Sequence, residues 1–188
     1  ICYAGKMTPD RGPHLLLEAL KILKQLQIPV SCEFAGDFKD PEFEAQFMQL
    51  ISEYQLNQEV RLLGICDRKQ LGAVYARNNL LVMPSIQAEP FGKVQIEAQA
   101  AGLAVIRTPV GGYKDMIING INGLLFKTED SEDLARQIYT LFKDPALWQT
   151  IATQGQADAF RYSSEVSILI LEEIFDELVP RNEFLASD

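Results

Sequence analysis

Three cysteines and one histidine are spread over 188 residues. Cys2, Cys32 and Cys66 form no CxxC pair, and each lies in or beside an apolar run (ICYAG, VSCEFAG, RLLGIC). An odd, small number of thiols in such settings excludes a disulfide framework and points to buried free thiols in a reducing compartment. His14 follows Pro13 at the start of a helical pattern, and its spacing implies no partner for acid–base work. Basic residues are in deficit: 17 Lys and Arg against 26 Asp and Glu give a net charge of −9. That balance argues against a nucleic-acid binder. It leaves room for a small anion, because a local pair of cations dominates within a Debye length, about 8–10 Å at ordinary salt. No apolar run approaches the roughly 20 residues needed to span a bilayer, and no signal peptide is visible. A cytoplasmic location is expected. Neither GxxxxGK[ST] nor GxGxxG occurs, so the two commonest phosphate-binding fingerprints are missing. There is no initial Met, and the sequence opens in a strand-like run, as if cut from a longer protein.

What is there is a steady alternation. Apolar runs at 1–5, 29–36, 60–64, 80–84, 103–108 and 123–126 read as strands. Between them lie helical patterns at 14–27, 41–56, 68–78 and 91–101, followed by helices at 131–143, 145–160 and 164–179. The runs are short and apolar without clean alternation, the signature of strands covered on both faces. Strand and helix in turn predict an α/β fold: a three-layer, doubly wound Rossmann-like domain with a parallel sheet of about six strands. Residues 1–160 are expected to form that domain, and 161–188 a C-terminal helix and tail. Phe34, Phe43, Phe47 and Phe160 are expected in the core, with Tyr139 and Trp148 as packing residues.

In such sheets ligands bind at the carboxyl edge, so the loops after each strand matter most. After the first comes GKMTPDRG. Gly5 permits a close turn. Lys6 and Arg11 flank a loop that opens a helix, whose free amides add positive potential. The pair reads either as a diphosphate clamp or as two solvated surface cations. After VRLLG come Ile65, Cys66 and Asp67. The backbone at Gly64 and Ile65 has groups to read a base edge; alternatively this is a plain turn in which Asp67 caps the next helix.

After LLVMP comes EPFGKVQIEAQAAGL, with two acids, Glu89 and Glu97, separated by seven residues. Pro90 pushes Glu89 into an extended conformation at the mouth of the sheet. Phe91, Gly92 and Lys93 open a helix whose first amides are suited to a phosphate or a sugar hydroxyl. Glu97 lies about a turn and a half further on, and its carboxylate suits a vicinal diol. One such acid is commonly a helix-start charge or a solvated glutamate. The whole block after a strand is less easily read that way. Gly111 and Gly112 allow close approach of a ligand, and Asp115 is either a cap or a contact.

Together YAGKMTPDRGPHLLLEAL, FAG, VRLLG and PSIQAEPFGKVQIEAQAAGLAVIRTPVGGYKDMIINGINGLLF resemble the C-terminal, nucleotide-sugar-binding domain of retaining GT-B glycosyltransferases of family 4. The resemblance covers roughly residues 1–145, and the E-x7-E block is its most specific part. It implies that Lys6 and Arg11, beside Gly5, bind the donor diphosphate, although the family more often has Arg first and Lys second. It implies that Glu89 contacts the transferred sugar as the catalytic-centre acid, in a positioning role rather than as a proven nucleophile. Pro90, Phe91, Gly92, Lys93 and Val94 would line the sugar and phosphate, Glu97 would hold the ribose, and Gly64 and Ile65 would meet the base. Asp115 stands where the family often has Glu. The implied chemistry needs no metal and no cofactor. The implied ligand is a nucleotide-diphosphate sugar, with UDP-hexose favoured, and the acceptor is a glycan or a lipid-linked molecule. The implied partner is an N-terminal acceptor domain, with peripheral contact of the full-length protein with the cytoplasmic membrane as a further expectation. A non-catalytic nucleotide-sugar-binding module and a sugar-nucleotide epimerase on the same architecture are the alternatives.

Overall fold

The computed structural model of the chain describes residues 1–88, 92–111, 116–163 and 168. Its strands are β1 (Cys2–Ala4), β2 (Cys32–Ala35), β3 (Val60–Gly64), β4 (Leu80–Met83), β5 (Ala104–Arg107) and β6 (Leu124–Leu125). All pair in parallel, in the order β3-β2-β1-β4-β5-β6. The helices are α1 (Pro13–Gln25), α2 (Pro41–Glu53), α3 (Arg68–Arg77), α4 (Lys93–Ala100), α5 (Ser131–Lys143) and α6 (Pro145–Phe160). This is the doubly wound, three-layer Rossmann-like architecture that the alternation predicts.

Strands β1, β4 and β5 are buried at every position. Their side chains divide by the period of two that a pleated strand imposes. Cys2, Ala4, Leu81, Met83 and Val105 face one core, which Val74 and Tyr75 of α3 and Ala98 of α4 complete. Tyr3, Leu80, Val82 and Ile106 face the other, under Leu16 and Leu20 of α1, Phe47 of α2 and Leu134 of α5. Each large aliphatic side chain removed from water contributes about 1.5–3 kcal/mol, so both layers of helices are held by the sheet rather than by their own propensity. Helix starts are fixed locally. Asp40 accepts from the Glu42 amide at 2.9 Å, Asp130 from Asp133 at 2.8 Å and Asp144 from Leu147 at 2.9 Å, each cap being worth about 1 kcal/mol.

Several details depart from expectation. β2 begins at Cys32, not at Pro29, because its ladders to β3 and β1 start only at Cys32–Val60 and Glu33–Cys2. A single 3-10 turn spans Pro9–Arg11 ahead of α1. Phe160 is 66% exposed, not core. The buried stripe of α6 runs Ile151, Ala152, Gly155, Ala159, and Phe160, one position on, is rotated about 100° off it. Cys2 and Cys32 are buried as expected, but Cys66, in the loop after β3, is only partly so. α6 ends at Phe160, where the first expected unit ends; the expected helix at 164–179 lies outside the described residues apart from Ile168. Among the described residues no helix is long and apolar enough to cross a membrane.

Candidate functional site

The strand order reverses between β1 and β4. In open α/β sheets the crevice beyond that switch point is where ligands settle. A recess of about 170 Å³ lies there, lined by Gly5 and Lys6 after β1, Arg11, Met83 and Ser85 at the end of β4, and Val94 of α4. Lys6 and Arg11 thus border one recess. The Lys6 ammonium is exposed and has no bond among the described residues. Arg11 is partly buried and lies 3.6 Å from Asp10.

The loops that carry these groups are tied to one another. Gly5 donates to the Ala35 carbonyl at 2.9 Å and Met7 to that of Asp37 at 3.1 Å. The Tyr3 hydroxyl donates to the Lys6 carbonyl at 2.6 Å. Across the switch point, the Ile86 amide donates to the Asp10 carbonyl at 2.9 Å. Gly12, at φ 66°, sits so close to Pro84 that a Cβ would overlap the proline carbonyl oxygen. Only glycine satisfies both conditions there.

A second recess of about 280 Å³ adjoins the first and shares Ala4, Gly5, Lys6 and Val94 with it. Its far end is formed by Ile65, Cys66, Leu71 and Asp37. Ile65 is 74% exposed and, with Leu71 and Val94, makes this end of the groove apolar. Asp67 does cap α3, in a capping box with Gln70 at 2.7 and 2.8 Å, while Ile65 still borders the groove. Gly64 is turned elsewhere, into a small recess with Met7, Phe34 and Phe38. Its carbonyl accepts from the Gly36 amide at 2.9 Å.

Helix α4 starts at the groove. Gly92 is its N-cap, and the first amides of any helix lack partners within it. Val94 lines both recesses, and Glu97, one turn on, is exposed. Glu89, Pro90 and Phe91, and with them Gly112 and Asp115, lie outside the described residues. Behind the groove wall is a buried polar brace that the strand reading of LAVIRT does not reveal. Arg107, only 2% exposed, donates to the Gln95 side chain at 2.7 Å, to the Val110 carbonyl at 2.8 Å and to the Thr108 carbonyl at 3.0 Å. The Thr108 hydroxyl donates to the Ser85 carbonyl at 2.6 Å. Two consecutive residues thus pin Ser85 and the first turn of α4, the two sides of the Lys6–Arg11 recess. The brace continues from Gln95 to Gln99 at 3.3 Å and from Gln99 to the Asn122 carbonyl at 3.0 Å. The available signal was an arginine at the end of an otherwise apolar strand.

The thiols contribute no nucleophile from the core. Burial pushes Cys2 up to about 12 and Cys32 higher still, so both stay protonated. Burial likewise lowers His14 below the ordinary histidine value. The His14 ring meets Phe43 edge-on at 5.9 Å, and it does not border either recess. A larger groove, about 340 Å³, lies at the opposite, amino edge of the sheet between Ile1, Val30, Leu141, Phe142 and Trp148. It has no charged side chain on its walls, whereas the smaller pair of recesses carries Lys6, Arg11, Asp37 and Lys39.

The family model for Glycosyl transferases group 1 matches residues 1–158. A D-inositol 3-phosphate glycosyltransferase of Pseudarthrobacter chlorophenolicus is 31% identical over 167 residues, which cover 86% of this chain and 38% of that protein. A glycosyltransferase of Rickettsia africae superposes with a TM-score of 0.85 at 26% identity, over 96% of this chain and 48% of its own. Anabaena Alr3699/HepE, solved in complex with UDP, gives 0.82 at 28% identity, over 92% of this chain and 47% of its own, and the same protein has been solved with UDP-glucose. The chain spans about half the length of the curated relatives it matches, or less.

Proposed function

Because this chain belongs to the glycosyl transferases group 1 family, we propose that its switch-point groove binds a nucleotide-diphosphate sugar, most favourably a UDP-hexose. We further propose that the chain is the donor half of a retaining, metal-independent GT-B glycosyltransferase of family 4 type. A second domain would hold the acceptor, a glycan or a lipid-linked molecule. The observation that carries this reading is the convergence of Lys6 and Arg11 on one recess bounded by Ser85 and α4. The relatives support it, since Alr3699/HepE is a likeness above the level of fold alone and binds UDP and UDP-glucose.

In this reading the diphosphate lies against Lys6, Arg11 and the first amides of α4. Two cations and a helix start stabilise the charge that grows on the leaving diphosphate. The base lies at the far end, against Ile65 and the backbone beside it. Glu97 accepts from the ribose hydroxyls. Glu89 faces the transferred sugar near the anomeric carbon.

Calorimetric titration with UDP, GDP and ADP tests the proposal. UDP is expected to bind most tightly, and failure of all three to bind would overturn it. Glu97→Ala is expected to weaken UDP by about 1–3 kcal/mol, the penalty of stranding charge-assisted hydrogen bonds. Unchanged affinity would remove the ribose assignment while leaving the diphosphate site standing.

A further inference from the structure

Tyr75 carries a hydroxyl for which the fold has no use. The residue is 4% exposed, and its hydroxyl oxygen has no hydrogen-bond partner among the described residues. Burying a hydroxyl without a partner is unfavourable, and such groups are rare enough in native proteins to require a reason. Phenylalanine would fill the same space without that penalty.

The location supplies a reason. Tyr75 lies in α3 one turn beyond Leu71, and Leu71 and Val94 both line the recess at the base end of the groove. Tyr75 packs in the same core as both, and as Ala98 of α4. Glu97, adjacent to Ala98, projects from α4 one turn past Val94. Glu97 is also the charged side chain whose field the Tyr75 hydroxyl feels most, ahead of the Cys2 thiol. The Glu97 carboxylate is exposed and has no hydrogen bond or ion pair among the described residues. Tyr75 thus carries an unpaired donor in the core that Ala98 and Val94 of α4 share, and Glu97 carries an unpaired acceptor on the same helix.

We propose that Tyr75 is a positioning residue for Glu97: when a nucleotide binds, the Glu97 side chain turns toward α3, the Tyr75 hydroxyl donates to one carboxylate oxygen, and the other oxygen accepts from the ribose diol. A carboxylate has acceptor capacity for both tasks. The hydrogen bond gained on binding offsets part of the ordering penalty that a free surface side chain meets. The inference rests on the ribose role given to Glu97 above.

The test uses the chain with Tyr75→Phe, Glu97→Ala and the double substitution, titrated with UDP and with 2′,3′-dideoxy-UDP. Tyr75→Phe is expected to weaken UDP by about three- to tenfold, the scale of one net hydrogen bond, and to leave the dideoxy analogue unchanged. In the Glu97→Ala background it is expected to have no further effect. Its thermal midpoint is expected to be equal to or above that of the parent, because the orphaned hydroxyl is gone. A merely structural tyrosine would weaken both ligands equally or lower the midpoint, and either result overturns the proposal. Full UDP affinity in Tyr75→Phe together with a weakened Glu97→Ala overturns it too, and leaves the ribose assignment intact. If Glu97→Ala itself binds UDP normally, the ribose assignment fails and this inference fails with it.

Discussion

His14 shows how a single side chain can be separated from the site by its titration. Burial holds its folded pKa below the ordinary value, while Glu18 and Glu129 push it back up to a lesser degree. A depressed histidine pKa means that the folded state prefers the neutral ring. Stability is therefore full above the unfolded value, about 6.5, and falls as pH drops below it, because the unfolded chain takes up the proton first. Urea denaturation of the parent and of His14→Gln should diverge between about pH 7.5 and 5.5, with only the parent losing stability through histidine. As it is the only histidine, its imidazole signals in proton NMR give the pKa directly. A midpoint at or above the ordinary value would refute the account. Nucleotide binding should be indifferent to the substitution, since the ring lies against Phe43 and not in the groove. A second window lies lower. Burial raises Asp133, but the Lys127 amide at 2.9 Å and the Gln137 and Arg136 side chains outweigh it and leave its pKa below the usual range. That depressed carboxylate contributes stability above the unfolded value, about 3.9, and loses it as pH falls through the folded value.

At the scale of elements, glycines and the Arg107 brace set the groove's shape. Gly36 has an ordinary backbone conformation, yet a Cβ there would overlap the Gly5 carbonyl oxygen. The constraint is the close approach of the loops after β1 and β2. Gly36→Ala should cost about 1–3 kcal/mol as overpacking and should weaken UDP, since Gly5 and Gly36 both border the groove. Gly72, inside α3 with open space around it, is the control: Gly72→Ala should stabilise by about 0.5–1 kcal/mol. Thermal or urea denaturation of the two variants checks the opposite signs. Arg107→Met tests the brace. With Ser85 and the first turn of α4 no longer pinned together, UDP should weaken by about tenfold, in line with charged hydrogen bonds worth about 1.5–3 kcal/mol. Uridine, which reaches only the far end, should weaken less. An equal loss for both would mean that Arg107 serves the fold alone. These elements differ in how far sequence exposes them. The strand–helix alternation, the Pro41 and Asp67 helix starts and the cations at Lys6 and Arg11 are legible because each is a local pattern. The brace is not, because it joins Ser85, Gln95, Arg107 and Asn122 from four segments, and no spacing within one segment encodes it. Phe160 misleads for the converse reason: hydrophobicity says that a side chain prefers burial, but only the buried stripe of α6 says whether its direction permits it.

At the scale of the whole molecule, charge and shape pull in different directions. The chain is acidic, with a net charge of −9, and its proposed ligand is an anion, so the far field opposes binding and the near field of Lys6 and Arg11 favours it. Removing either cation, in Lys6→Ala or Arg11→Ala, should weaken UDP markedly and uridine little, because only the diphosphate lies within reach of that near field. Parallel losses for the two ligands would show that the cations do not touch phosphate. The same geometry sets what this chain does alone. Among the described residues, the groups assigned to the donor lie along one edge of one sheet. Group transfer requires water to be excluded and the acceptor to be held against the donor, and one edge supplies neither. We therefore expect UDP to raise the thermal midpoint of the 188-residue chain through linkage to the native state, by RT ln(1 + [L]/Kd). We expect UDP-glucose supplied with simple glycan acceptors to be left unconsumed by this chain in a coupled assay for released UDP. A midpoint insensitive to millimolar UDP would remove the donor site from this groove. Turnover by the chain alone would show that this edge already holds both partners of the reaction.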